Sequence, residues 1–179
     1  SISGGWDYVE PALFGYAAGR VVDSFQKYFG VYQDGIIAHF HEWMTGSAIL
    51  YLKMHNTSIA TVFTTHASEM GRSSAGNGLP LYDHIEKYNS ALVVREFSIV
   101  AKQSLEKLAA KNAYMFTTGS EVTNVECKQF FGKAVDIVTP NGFNVHLAES
   151  STESLDQKRI ISRELLLKFA GRMTNNSFD

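Results

Sequence analysis

"IIAHFHEWMTG", Ile36 to Gly46, sets two histidines, a glutamate and a tryptophan directly behind an apolar run. The run is short and continuous, which is the pattern of a strand covered on both faces. Its polar residues therefore fall where a buried strand ends. Three chemistries fit such a cluster: a metal site, a sugar or phosphate site, or histidines satisfied by hydrogen bonds inside a core.

The flanking sequence decides the architecture. Residues 10–30 read as a helix, with Pro11 in the first turn, Leu13, Phe14, Ala17, Val21, Val22 and Phe25 at helical spacing, and Gly30 as the stop. "HEWMTGSAILYLKMH" returns to helical spacing after the strand. "SIATVFTT" is a second buried strand, followed by a long Gly- and Ser-rich connection over 66–83. Residues 91–112 read as the longest helix. "AYMFTT" is a third strand, Ser120 caps a helix that stops at Gly132, and "AVDIVT" is a fourth strand leading to a Pro-Asn-Gly turn. Ser154 caps a final helix. Strands separated by helical crossovers predict an α/β fold with a parallel sheet and helices on both faces.

Composition excludes several classes. The chain has 179 residues, 45% hydrophobic and 19% charged, with a net charge of −2 and scattered Lys and Arg. That balance gives no electrostatic case for nucleic acid or a membrane surface, and no apolar run has transmembrane length. The one cysteine, Cys127, forbids an internal disulfide and fits a reducing compartment, so a cytoplasmic location is expected. It reads as a small buried residue rather than a nucleophile. Asn56 and Asn175 match the glycosylation sequon and are taken as chance matches. The chain opens at Ser1 in mid-pattern, as a piece of a longer protein would.

In open parallel sheets ligands bind beyond the carboxyl ends of the strands. The residues leaving the four strands place His41, Glu42, His66, Thr117, Thr118 and Asn141 along that edge. His39 and His41 share a strand face, and with His66 they resemble the start of a zinc site. Further ligands on later strands are missing, so no metal is assigned. His39, nearer the strand interior, reads as a satisfied core histidine and His55 as a helix C-cap. Trp43 packs helix on sheet. Glu42 falls in a first helical turn, where its charge is favoured in any case. Arg72, in the long loop, has reach toward a phosphate or sugar. No phosphate-binding loop, nucleophile elbow or paired strand-end carboxylates occur.

"AHFHEWMTGSAI", "IATVFTTHASEMGR", "FTTGSEVTNVE" and "DIVTPNGFNV" follow one another in the order and spacing of the animal and fungal type of glycogen synthases. The chain resembles that family from Leu13 to Val145, including a long helix in which Glu106-Lys107-Leu108-Ala109-Ala110 replaces the usual Glu-Arg-Ala-Ala-Ala. The resemblance implies a GT-B architecture, two Rossmann-like halves with the active site between them. On that basis residues 1–179 are one N-terminal Rossmann-like domain, with 145–179 as exit linker and C-terminal helix and the catalytic partner domain absent. It implies retaining transfer of glucose from UDP-glucose to the non-reducing end of an α-1,4-glucan, in a homo-oligomer, without a cofactor. His41 matches the family's active-site histidine. Glu42, Thr65, His66, Arg72, Thr118 and Asn141 are the substrate-binding candidates. The family's Gly-rich donor segment and the Arg, Lys and Glu of its second domain have no counterpart here, so the 179 residues alone are expected to be inactive. A metal-dependent hydrolase built on His39, His41 and His66, and a non-catalytic carbohydrate-binding domain, are the alternatives.

Overall fold

The computed structural model describes residues 6–29, 35–143 and 154–174. The chain divides into two compact units, 1–141 and 142–179. In chain order the first contains α1 (Val9–Phe29), β1 (Ile37–His41), α2 (Gly46–His55), β2 (Ala60–Thr65), α3 (Glu69–Gly76), α4 (Ser90–Glu96), α5 (Val100–Asn112), β3 (Met115–Thr118), α6 (Glu121–Phe131) and β4 (Ile137–Val138). The second contains α7 (Leu155–Thr174), whose cap is reciprocal: Gln157 N–H donates to Ser154 Oγ and Ser154 N–H to Gln157 Oε1. Gly30, residues 144–153 of the expected exit segment, and Asn175 lie outside the described residues. Among the described residues no helix is long and apolar enough to cross a membrane.

The four strands form one parallel sheet in the order β1-β2-β3-β4, as the α/β reading requires. Each crossover steps the same way across the sheet. Right-handed connections therefore bring the crossover helices to one face. Ala38, Phe40, Phe63, Phe116, Thr65 and Thr118 point into that face and are buried. Phe63 and Phe116 stack with centroids 5.7 Å apart. The opposite face carries Ile37 and Ile137, which are exposed, with Val62 and Met115 half-buried between them. Among the described residues of the first unit the crossover helices lie on the one face. β1 is an edge strand with alternating exposure, so it is covered on one face rather than two.

Three local expectations are corrected. The large apolar residues of α1 do not dock it: Leu13, Phe14, Val21 and Phe25 are exposed, while Gly15, Gly19 and Asp23 face α2. The glycines are needed there because a Cβ on Gly19 would stand 3.0 Å from Ala48 Cα. Asp23 closes this interface by accepting from Lys27 and Asn56, which also occupies the sequon amide of Asn56.

The long 91–112 helix is two helices. Ile99 N–H donates to Val94 O at 2.9 Å and Ser98 N–H to Arg95 O at 3.1 Å, the paired bonds of a Schellman stop, with Ser98 left-handed at φ 56°. No glycine marks the stop, so its sequence signal is hidden. Ser98→Gly is expected to stabilise the protein by about 0.5–1 kcal/mol by relieving that conformation. An unchanged or lower urea midpoint would contradict this.

The fourth strand keeps only two paired residues. Asp136 spends its side chain on the Phe116 N–H (2.7 Å), a bond a longer ladder would supply from backbone.

Candidate functional site

The carboxyl edges of β1 and β2 bring three imidazoles into a row. His39 and His41 project from the same face of β1, with ring centroids 4.1 Å apart. β2 pairs in register, so His66, just past its end, meets His41 edge to edge, with centroids 5.3 Å apart and planes only 4° apart. His41 Nδ1 and His66 Nε2 share a hydrogen at 3.1 Å. Burial lowers the His41 pKa, the nearby His39 and His66 lower it further, and Glu42 acts in the opposite direction. At neutral pH the His41 ring is therefore uncharged. Its Nε2 has no protein partner among the described residues and remains available to a ligand.

His39 is exposed rather than a core residue, because β1 is an edge strand. It is satisfied nonetheless. Thr117 Oγ1 lies 3.5 Å from Phe63 O, Thr64 Oγ1 lies 2.6 Å from Thr117 Oγ1, and His39 Nε2 lies 2.7 Å from Thr64 Oγ1. When Thr117 gives its hydrogen to Phe63 O and Thr64 gives its own to Thr117, His39 Nε2 is the donor to Thr64. That fixes the His39 ring, and through the stack it supports His41.

Glu42 is not in a helical turn. It sits between β1 and a single 3-10 turn, Trp43–Thr45, with φ 65° and ψ 161°, a conformation that costs a non-glycine residue about 1–3 kcal/mol. Its backbone is held from both sides: Glu42 N–H donates to Thr64 O at 2.8 Å, and Glu42 O accepts from Thr45 N–H at 3.1 Å. Its side chain reaches across to β2. Oε1 accepts from His66 N–H at 3.0 Å and from an Arg72 N–H at 2.8 Å. His41, Glu42, His66 and Arg72 are thus one connected rim. Thr45, unremarked in the sequence, ties it down through a 2.7 Å bond from its hydroxyl to His41 O.

The other candidates sit differently. Thr65 and Thr118 are fully buried beneath the rim. Thr118 Oγ1 donates to Thr65 O at 2.7 Å, and Thr65 Oγ1 lies 2.8 Å from Glu106 Oε1. Their hydroxyls support the rim from below instead of facing a ligand. Asn141 is exposed beyond β4, separate from the histidine row. Trp43 is buried as expected, with Lys102 Nζ 5.5 Å from its ring centre. Cys127 is buried and its thiol is pushed up by burial, which fits an inert residue. The three histidines form a row, His39 against the His41 ring and His41 hydrogen-bonded to His66, instead of converging on a point. Among the described residues no group of three or more His, Cys, Asp or Glu is placed to hold a metal ion.

Residues 66–83 are not a bare loop. Ser68 caps α3 by accepting from Gly71 N–H at 2.9 Å, with Glu69 in the first turn. A Ser-Glu pair ahead of Met70 is the signal that marks this helix. Arg72 thereby gains a rigid base. Two buried glutamates hold the start of α3: Glu106 from α5, and Glu126 from α6, which accepts from Ser68 N–H (3.2 Å), Ser68 Oγ (2.6 Å) and Tyr82 OH (2.6 Å). The bond to Glu126 is the leading reason the Tyr82 phenol is pushed up to about 12.

Gly71 is required at this point, since a Cβ would come within 2.6 Å of Glu126 Cδ. Because three donors pin that carboxylate, Gly71→Ala is expected to cost about 1–3 kcal/mol. A wild-type urea midpoint in the variant would refute the clamp.

The sequence profile described as glycogen synthase matches residues 7–161. The chain belongs to the glycogen synthase family. It is 32% identical over 136 residues to glycogen [starch] synthase of Caenorhabditis elegans, a match covering 76% of this chain and 20% of that protein. To the liver glycogen [starch] synthase of Homo sapiens it is 34% identical over 129 residues, 71% of this chain and 18% of the relative. The Dictyostelium discoideum glycogen [starch] synthase is 32% identical over 136 residues, 76% of this chain and 15% of the relative. The chain thus spans a fifth or less of the length of these relatives. The family match covers the whole histidine rim and all four strands.

Proposed function

We propose that this chain forms one wall of a glucosyltransferase active site. The reaction is transfer of glucose from UDP-glucose to the non-reducing end of an α-1,4-glucan, with retention of configuration. His41 is the residue placed against the transferred sugar. The observation that carries this is the uncharged His41 ring at a strand exit, with His39 against its face, His66 hydrogen-bonded at its edge and Nε2 open, in a chain of the glycogen synthase family. A neutral imidazole suits a sugar, whose hydroxyls need single hydrogen bonds and whose ring packs on flat apolar surface.

Glu42, His66 and Arg72 extend the same wall, and Asn141 lies at the exit of the fourth strand. Thr65 and Thr118 act from beneath. The rim holds one cation, Arg72, already paired with Glu42, so charge stabilisation of a departing diphosphate falls to a second Rossmann-like domain across the cleft. Incorporation of labelled glucose from UDP-glucose into glycogen by the full polypeptide tests the reading. Residues 1–179 alone are expected to show none. Transfer by residues 1–179 alone would overturn the two-domain site, and no transfer by the full polypeptide would overturn the assignment.

A further inference from the structure

We propose that Glu106 carries a proton in the folded protein and uses it to fasten the turn that carries His66. Thr65 Oγ1 lies 2.8 Å from Glu106 Oε1 and 3.2 Å from Ala67 O, which Arg72 Nε also reaches at 3.4 Å. A hydroxyl has one hydrogen to donate, and a carbonyl oxygen has none. When Thr65 donates to Ala67 O, the 2.8 Å contact is a hydrogen bond only if Glu106 is its donor. The neutral acid satisfies both contacts: Glu106 Oε1–H to Thr65 Oγ1, and Thr65 Oγ1–H to Ala67 O. Glu106 Oε2 meanwhile accepts from Glu69 N–H at 3.0 Å. The carboxyl is then used as one donor and one acceptor.

The surroundings favour the same state. Glu106 is fully buried. The charged and titratable groups around it are Glu42 after β1, Glu69 on α3 and Cys127 on α6, with Lys102 one turn back on α5 itself and bound to Glu69. The cations nearby are already paired: Arg72 with Glu42, and Lys102 with Asp7 and Glu69. A buried carboxylate without a cation loses its hydration for little return, so it holds its proton instead. Burial, with smaller contributions from Glu42 and Glu69, pushes its titration up to about 8 against two opposing hydrogen bonds. Glu126 is the contrast. It accepts three hydrogens from Ser68 and Tyr82, and nothing requires it to donate.

The consequence lies at His66, between the two residues the relay joins. Its backbone N–H holds Glu42 and its ring meets His41. Glu106 touches neither the rim nor a ligand, so it is a positioning residue. Loss of its proton leaves Thr65 with one hydrogen for two acceptors, and when Thr65 turns to Glu106 the Ala67 carbonyl keeps only the 3.4 Å bond from Arg72. The inference does not depend on the sugar-transfer reading, and no sugar enters its test.

The test is a carbon-detected NMR titration of glutamate side chains in the protein, with Glu106→Gln for assignment. The amide reproduces the neutral acid: its oxygen accepts from Glu69 N–H and its NH₂ donates to Thr65. One carboxyl is expected to titrate near 8. The His66 ring signals should shift over the same range, and both changes should vanish in Glu106→Gln. A Glu106 carboxyl that titrates in the ordinary range of about 4.3 overturns the proposal. So does a His66 ring blind to the Glu106 titration. Should the Gln variant fail to fold, through-bond assignment in the wild-type protein gives the same two readings.

Discussion

Replacing His41 by alanine in the full polypeptide is expected to lower glucose transfer by about two to four orders of magnitude in kcat, the range for losing a positioned hydrogen-bonding or proton-handling group. Stability should barely move. The ring is only partly covered, on an edge strand, so its removal opens no enclosed cavity, and the backbone bonds of β1 to β2 remain. That separation of activity from folding makes the variant informative. A His41→Ala protein with full turnover would take His41 out of the site, whatever its family.

The pH dependence has a sign as well. His41 titrates below its usual 6.5, through burial first and then its two histidine neighbours. The active neutral ring is therefore fully present above that value and is lost as pH falls through the lowered one. Folding stability follows the same direction: the unfolded chain binds the proton more readily, so this contribution is present above 6.5 and disappears on acidification. Removing His39 should raise the His41 titration by deleting one repelling neighbour.

The sheet was legible because buried strands announce themselves. "IATVFTT" and "AYMFTT" are apolar and β-branched at the right length, and both form paired strands. The place of His41 was legible, since it is the last residue of β1. Glu42 was not, since a left-handed glutamate has no sequence signature. It arises because Thr45, Thr64, His66 and Arg72 together hold it. α1 misled for a different reason: helical spacing shows which residues share a face, but not whether bulk or closeness docks it. Two glycines and an aspartate set one turn apart won over four large apolar residues. Glu106 was hidden inside a helix of charged residues. Its spacing resembles a solvated position, and it is buried where α5 meets the end of β2 and the start of α3.

Glu106 gives the second large prediction, and its sign is opposite to that of His41. The folded protein holds the proton until about pH 8, whereas the unfolded chain releases it near the ordinary 4.5. Between these values the folded state binds more protons, so stability falls as pH rises. The full span is worth about 5 kcal/mol, at 1.36 kcal/mol for each pKa unit. That is a large share of the roughly 5–15 kcal/mol that holds a typical domain together. Glu106→Gln should cut this slope from the stability profile. Variant and wild type are expected to have similar urea midpoints at pH 5, and the variant should be the more stable at pH 9. Identical slopes in the two proteins would show that Glu106 is ionised in the fold at all these pH values. The comparison also isolates Glu106 from His41, whose contribution is complete above pH 6.5. Any further loss of stability from pH 7 to 9 that the glutamine abolishes belongs to the buried acid.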